Sequence, residues 1–277
     1  MTTAAFTEVA DRVHVLRHPV LDVNVTLIVG DAAALLVDTL STAGQATELG
    51  AAVRGITSRP WAIVNTHHHF DHCFGNAALA TDPAYPIYAH ETTASLLRER
   101  PGDVRRLAHD EMLPRDRELA AELARTTILA PTHVVRLETT LDLGGRSVAL
   151  RHFGRGHTEG DLVVHVPDAD VLVAGDLLEQ GAPPSFDDGY PVEWPETVAE
   201  LLRLATPATA VVPGHGAVMD EAQARAQHEQ LTSLAWLIRE GHADGAPPER
   251  VAARAPFGPE TALPAVRRGY AELTGRD

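Results

Sequence analysis

One stretch restricts the fold more than any other: Asn65-Thr66-His67-His68-His69-Phe70-Asp71-His72. Four histidines and an aspartate stand there directly behind an apolar run, Trp61-Ala62-Ile63-Val64, that predicts a short buried strand. Backbone leaving a strand carries alternate side chains to one side, so His67 and His69 can aim the same way. A turn after His69 then lets Asp71 and His72 approach from another direction. Imidazole and carboxylate suit zinc, with iron or manganese as the next choices. One ion cannot use this many neighbouring donors, so the segment points to a site for two metals. A histidine tag would stand at a terminus and lack Asp71 and the spaced His72. The remaining ligands have to come from elsewhere in the chain.

Composition narrows the partners. The 277 residues allow one large domain or two small ones, and 44% hydrophobic content supplies an ordinary core. A formal net charge of −15 argues against a nucleic-acid backbone or an anionic membrane, both of which need basic patches. Cys73 is the only cysteine, so no internal disulfide forms, which fits a reducing compartment. Its place after His72 would suit a thiolate ligand, but a small buried core residue is the better reading. The first residues carry neither a basic start nor an apolar run of signal-peptide length, and no stretch reaches the ~18 apolar residues of a membrane span. The expectation is a cytoplasmic protein acting on a small molecule.

Strands dominate the first forty residues. Runs at 12–16, 23–29 and 34–38, the last two separated by the Gly30-Asp31 turn, predict a meander. A helix is expected over 42–54, where Ala46, Leu49, Ala52 and Val53 fall at helical spacing, and a short one over 74–79. Residues 86–90 predict a strand and 91–98 a helix. The charged segment at about 101–125 has only Leu107, Met112, Leu119 and Leu123 as apolar positions, so it predicts a helical insertion lying over something else. A second β-rich half is expected from Thr132, with strands at 132–135, 139–143, 147–153, 162–166 and 171–174. A helix at 195–204, a strand at 210–213 and a helix at 220–239, with Leu231, Leu234, Trp236 and Leu237 on its apolar positions, follow. The tail from Gly241 predicts two short helices. Strands then helix, twice, without βαβα alternation, implies two sheets packed face to face with helices outside.

Three more donor groups stand between a strand end and a glycine: Gly156-His157-Thr158, Gly175-Asp176 and Gly214-His215-Gly216. Glycine lets backbone approach closely around a cluster, and loops at one sheet edge converge into sites. In this order behind His67 to His72, the chain resembles the metallo-β-lactamase-fold superfamily. The likeness runs from about Val13 to Gly216, and Asp38-Thr39 matches its recurring Asp-Thr, a supporting position. The resemblance implies an α+β fold, a four-layer αββα sandwich, with a domain over 1–240 and a C-terminal helical extension, 241–277, packed on it. It implies zinc, two per chain: His67, His69 and His157 on the first, Asp71, His72 and His215 on the second, with Asp176 bridging. It further implies a metal-bridged hydroxide attacking a carbonyl, oriented by Asp71. His68 and the other nine histidines are read as structural or surface residues, His68 pointing away from its neighbours in an extended segment.

Ligand identity separates the branches. Aspartate at 176, where β-lactamases of this fold tend to carry cysteine or serine, favours a glyoxalase II-like or lactonase-like hydrolase of esters, thioesters or lactones. The alternatives are a mononuclear iron persulfide-type dioxygenase and a β-lactamase proper. A glutathione-binding pair is not recognisable near Arg239, Arg267 and Arg268. Phe186, Tyr190 and Trp194, among prolines and acids at 180–194, are expected to line an apolar substrate pocket.

Overall fold

A computed structural model describes residues 5–80 and 85–275. The first sheet joins seven strands in chain order: β1 (Thr7–Ala10), β2 (Val13–Arg17), β3 (Asn24–Val29), β4 (Ala34–Val37), β5 (Trp61–Val64), β6 (Ile87–His90) and β7 (His133–Val135). Pairing is antiparallel up to β4 and parallel beyond it. The second sheet holds five: β8 (Glu138–Asp142), β9 (Ser147–Arg151), β10 (Val163–Val166), β11 (Val171–Glu179) and β12 (Ala210–His215), in spatial order β12-β11-β10-β9-β8. Only its β11–β12 pair is parallel.

Strand alternation builds the layers. Leu35, Val37 and Val64 of the first sheet meet Val148, Leu150, Val164, Val173 and Val212 of the second in one dry core. The intervening residues, Ala34, Leu36 and Ile63, point the other way, onto α1 (Ala43–Ile56) through its Ala46, Leu49 and Val53. Both faces are therefore covered, which is why β3, β4 and β11 are buried along their whole length. The short α2 (Phe70–Cys73) and α3 (Asn76–Leu79) follow β5, and α4 (Glu91–Glu99), α5 (Pro101–Met112) and α6 (Arg117–Leu123) follow β6. Outside the second sheet, Leu172, Ala174 and Val211 pack on α7 (Trp194–Leu202) and α8 (Glu221–Ala243). Val251 of α9 (Pro248–Ala252) and Ala262, Ala265 and Val266 of α10 (Pro259–Thr274) join the same cluster. The order is helix, sheet, sheet, helix: the αββα sandwich.

Several expectations need correcting. β7 pairs with β6 in the first sheet, so the segment at Thr132 closes one sheet and does not open the second. The single helix expected at 74–79 is two, and the first starts inside the histidine stretch at Phe70, because His69 is extended (φ −65°, ψ 150°) and caps it. The charged insertion is also two helices, broken where the Asp116 carboxylate accepts from the amides of Glu118 and Leu119. Its Met112, Leu119 and Leu123 pack with Phe70, Cys73 and Phe74, so the insertion lies over the helix carrying Asp71 and His72, while Leu107 faces solvent. Trp236 is exposed, off the face of Leu231, Leu234 and Ile238. In the tail, α10 is a full sixteen residues long. Among the described residues no helix is long and apolar enough to cross a membrane.

Candidate metal centre

The donors meet at one edge of the sandwich. His67 and His69 leave β5, Asp71 and His72 ride the first turn of α2, and His157 stands in the loop between β9 and β10. Asp176 lies within β11, and His215 ends β12. His69 Nδ1 is 3.1 Å from His67 Nε2 and 2.8 Å from His157 Nε2. His72 and His215 approach each other at Nε2, 3.2 Å apart, and Asp71 Oδ2 is 3.4 Å from His215 Nε2. Asp176 lies between the two sets: its carboxylate is 3.7 Å from His67, 3.4 Å from His157, 3.1 Å from His72 and 3.4 Å from His215. Two groups, His67–His69–His157–Asp176 and Asp71–His72–His215, each keep their donor atoms within 4.8 Å of one another.

The outward nitrogens explain how the inward ones are aimed. His72 Nδ1 sits 2.8 Å from Asp38 Oδ2, His157 Nδ1 3.3 Å from the Ser185 carbonyl, and His215 Nδ1 2.7 Å from the Leu21 carbonyl. Those oxygens only accept, so each fixes an imidazole N–H on the outward side and leaves the other nitrogen facing inward, where a metal can replace the proton it carries. Thr66 donates its hydroxyl to Asp38, 2.8 Å away, leaving its oxygen to accept from His67 Nδ1 at 3.1 Å. His69 is turned the other way round, with Nε2 on Asp188 at 3.2 Å and Nδ1 facing the cluster. Five inward imidazole nitrogens and two carboxylates, Asp71 and Asp176, thus converge, and Asp176 Oδ1 is buried with no hydrogen-bond partner. That donor set fits divalent cations and little else.

Electrostatics point the same way. Burial opposes charge on His69 and His215, yet the facing Asp188 carries His69 to about 9 and Asp176 carries His215 to about 10. His72 is likewise raised, against burial, by Asp176, Asp71 and Asp38. Burial and then the charge of His72 lower His67, while burial lowers His157 to about 4. Burial would raise Asp176, but the surrounding imidazoles hold it well below the carboxylate range. A metal entering this cluster has to displace protons, so its affinity rises with pH.

Local structure serves the cluster. The His72 carbonyl is held by the Thr39 amide at 2.9 Å and the Asn65 side chain at 3.2 Å, and Asn65 and Asn76 pair through both amides. Gly214 is required sterically: a Cβ there would lie 1.8 Å from Asp176 Oδ1. Gly214→Ala is therefore expected to push Asp176 out of place and to release metal from a protein that still folds, read as ions per chain by elemental analysis beside circular dichroism. Metal content equal to that of the unsubstituted protein would contradict the steric argument.

Four sequence readings change or sharpen. His68 does not point away: its Nε2 lies 3.2 Å from Asp188 Oδ2, so this histidine and His69 share one carboxylate. Phe186 and Trp194 are not open pocket walls but buried core. Trp194 is fully enclosed, donates to the Leu177 carbonyl and backs onto His157 with ring centroids 5.6 Å apart. Tyr190 is nearly buried, with the Arg155 guanidinium 4.1 Å over its ring. Cys73 is buried, donates to the His68 carbonyl, and burial pushes its thiol well up, all of which suit a core residue. Two acids at the site carried no sequence signal, Asp188 and Glu179. Asp188 stands between the expected pocket aromatics, and Arg268 of α10 holds its loop by donating to the carbonyls of Asp188 and Gly189, each at 3.2 Å.

A family model described as the metallo-beta-lactamase superfamily matches residues 18–215. The chain belongs to that superfamily. Superfamily relatives include a metallo-beta-lactamase type 2 of Bacillus sp. (strain 170), 32% identical over 107 residues, or 37% of this chain and 42% of that one. The type 2 enzyme of Bacillus cereus is 29% identical over 126 residues, covering 44% and 49%. The match thus spans under half the length of these two relatives. A probable metallo-hydrolase of Bacillus subtilis is 28% identical over 169 residues, covering 60% of this chain and 72% of that one. Among solved structures, a metallo-beta-lactamase from Pontibacter korlensis superposes with a TM-score of 0.67 at 20% identity, over 83% of this chain and 99% of that chain, which shows the shared fold.

Proposed function

We propose that the protein is a dinuclear zinc hydrolase of carbonyl-centred small molecules, with esters, thioesters and lactones ahead of β-lactam amides. The observation that carries this reading is the place of Asp176, within 3.7 Å of an imidazole nitrogen of His67 and within 3.4 Å of those of His157, His72 and His215. On this reading His67, His69 and His157 hold the first ion and Asp71, His72 and His215 the second, with Asp176 shared. The second donor group supports two seats and so disfavours a mononuclear iron dioxygenase. A carboxylate at 176 supports the glyoxalase II-like or lactonase-like branch over a β-lactamase proper.

When bound, zinc supplies a Lewis acid for the carbonyl oxygen and lowers the pKa of water from ~15.7 to about 7. The chain supplies the rest. Asp38, Thr66, Asp188 and the carbonyls of Leu21 and Ser185 hold each imidazole in one tautomer. Asp71 Oδ2, facing His215 and 7% exposed as a residue, orients the attacking water, takes its proton and returns it to the leaving atom.

The test is a panel of esters, thioesters, lactones and β-lactams offered to zinc-quantified protein, with His157→Ala alongside. The expected result is about two zincs per chain, turnover of a member of the first three classes, and loss of turnover in the variant and on chelation. Less than one ion per chain, iron alone in protein from metal-balanced medium, or turnover unchanged in His157→Ala would each defeat the reading.

A further inference from the structure

Glu179 closes β11 three residues after Asp176, a spacing that in a regular strand would put the two side chains on opposite faces. The strand is irregular here. Gly175 pairs with Pro213 and Glu179 with His215, so four steps of β11 run against two of β12. Such bulging re-aims a side chain. Gln227 fixes the result from both directions, accepting from the Glu179 amide at 2.8 Å and donating to its carbonyl at 3.0 Å.

The carboxylate so placed is 8% exposed, and among the described residues it has no hydrogen bond or ion pair. One of its oxygens lies within 4.8 Å of donor atoms of both Asp176 and His215. A buried carboxylate with no partner, set beside a second carboxylate, is unfavourable until a cation joins them.

We propose that Glu179 is a further ligand of the second metal seat, which then comprises Asp71, His72, Asp176, Glu179 and His215. The proposal rests on the two-metal reading above. With carboxylates outnumbering imidazoles, this seat has a coordination number above four and accepts harder ions such as manganese beside zinc. The first seat, dominated by imidazole, remains a zinc seat.

The experiment strips the protein of metal and titrates it with zinc and with manganese against a chromophoric chelator, for the unsubstituted protein and for Glu179→Gln and Glu179→Asp. The expected result is two zinc ions in the unsubstituted protein. In Glu179→Gln the second binds at least about tenfold more weakly while the first is unchanged. Manganese binding is lost in that variant and partly restored by aspartate. With cobalt in the second seat, visible absorption strengthens in Glu179→Gln as the coordination number falls. The metal-free variant melts no lower than the metal-free parent, because an amide of the same shape replaces a carboxyl that has no partner to lose, and this separates the effect from misfolding. Two ions with an unchanged second affinity and spectrum in Glu179→Gln would overturn the proposal alone. That is also the outcome expected if the carboxylate instead pairs with a substrate ammonium from the adjoining cavity of about 470 Å³. Uptake of a single ion by the unsubstituted protein would defeat the two-seat reading itself.

Discussion

Replacing Asp176 by alanine is expected, on the proposed two-zinc reading, to drop retained zinc from two ions per chain to below one, and hydrolytic turnover by at least about a thousandfold. Four imidazoles close on that one carboxylate, His67 and His157 from one proposed seat and His72 and His215 from the other. Losing the Lewis-acid contribution removes several kcal/mol of transition-state stabilisation, and about 4 kcal/mol corresponds to about a thousandfold in rate. The fold should survive, since Asp176 Oδ1 makes no hydrogen bond that packing depends on. Elemental analysis, steady-state kinetics and thermal melting on one preparation decide the matter. Two retained ions with turnover within tenfold of the parent would remove Asp176 from the centre of the site.

Asp38→Asn should separate folding from metal binding. Asp38 is buried in the left-handed region at φ 66°, a conformation asparagine tolerates. Its Oδ1 accepts from the Thr66 amide at 2.7 Å, which an asparagine oxygen can still do. Its Oδ2 accepts from His72 Nδ1 and from the Thr66 hydroxyl, each at 2.8 Å, and an NH₂ group there cannot. His72 must then accept at Nδ1 and carry its proton on Nε2, the atom facing His215 and Asp176. The second ion should bind about 10–100-fold more weakly with the first seat little affected. Asp38→Ala is harsher: it strands buried donors on Thr66 and His72 and should cost about 3–5 kcal/mol of stability. Chelator competition and urea denaturation of the metal-free proteins measure both effects. An asparagine variant with the parent's second-site affinity would refute the tautomer argument.

How much of this was legible in the chain differs by residue. The donors in His67 to His72, His157, Asp176 and His215 stand out because each comes after an apolar run of strand period and sits beside a turn or glycine, although the strands of Asp176 and His215 extend through them. Gly214 could be marked as permissive from its motif, but only the 1.8 Å approach to Asp176 shows what it permits. An extended segment would turn His68 away, but α2 begins two residues later and Asp188 meets its ring. The aromatics at 186, 190 and 194 stand among prolines and acids, a composition that suits a pocket wall as well as a core. Their burial depends on the α10 side of the core, which local sequence does not foretell. Asp188 and Glu179 look like any surface acids until the chain is folded.

By itself the sequence determined the chemistry available: five candidate imidazole ligands and two candidate carboxylates, strand ends to carry them, glycines to admit them, and two sheets with helices outside. Periodicity and turn residues act over a few positions, so those features are local and can be read directly. Tertiary structure decided which donors face one another, because that depends on pairings far apart in sequence. His72 meets His215 across 143 residues, and His69 meets His157 across 88. It also decided which nitrogen of each imidazole is free, that Asp176 lies between the two groups, and that Asp188 and Glu179 stand at their margins. Those outcomes follow from how two sheets pack and twist, a property of the whole core and of no single stretch.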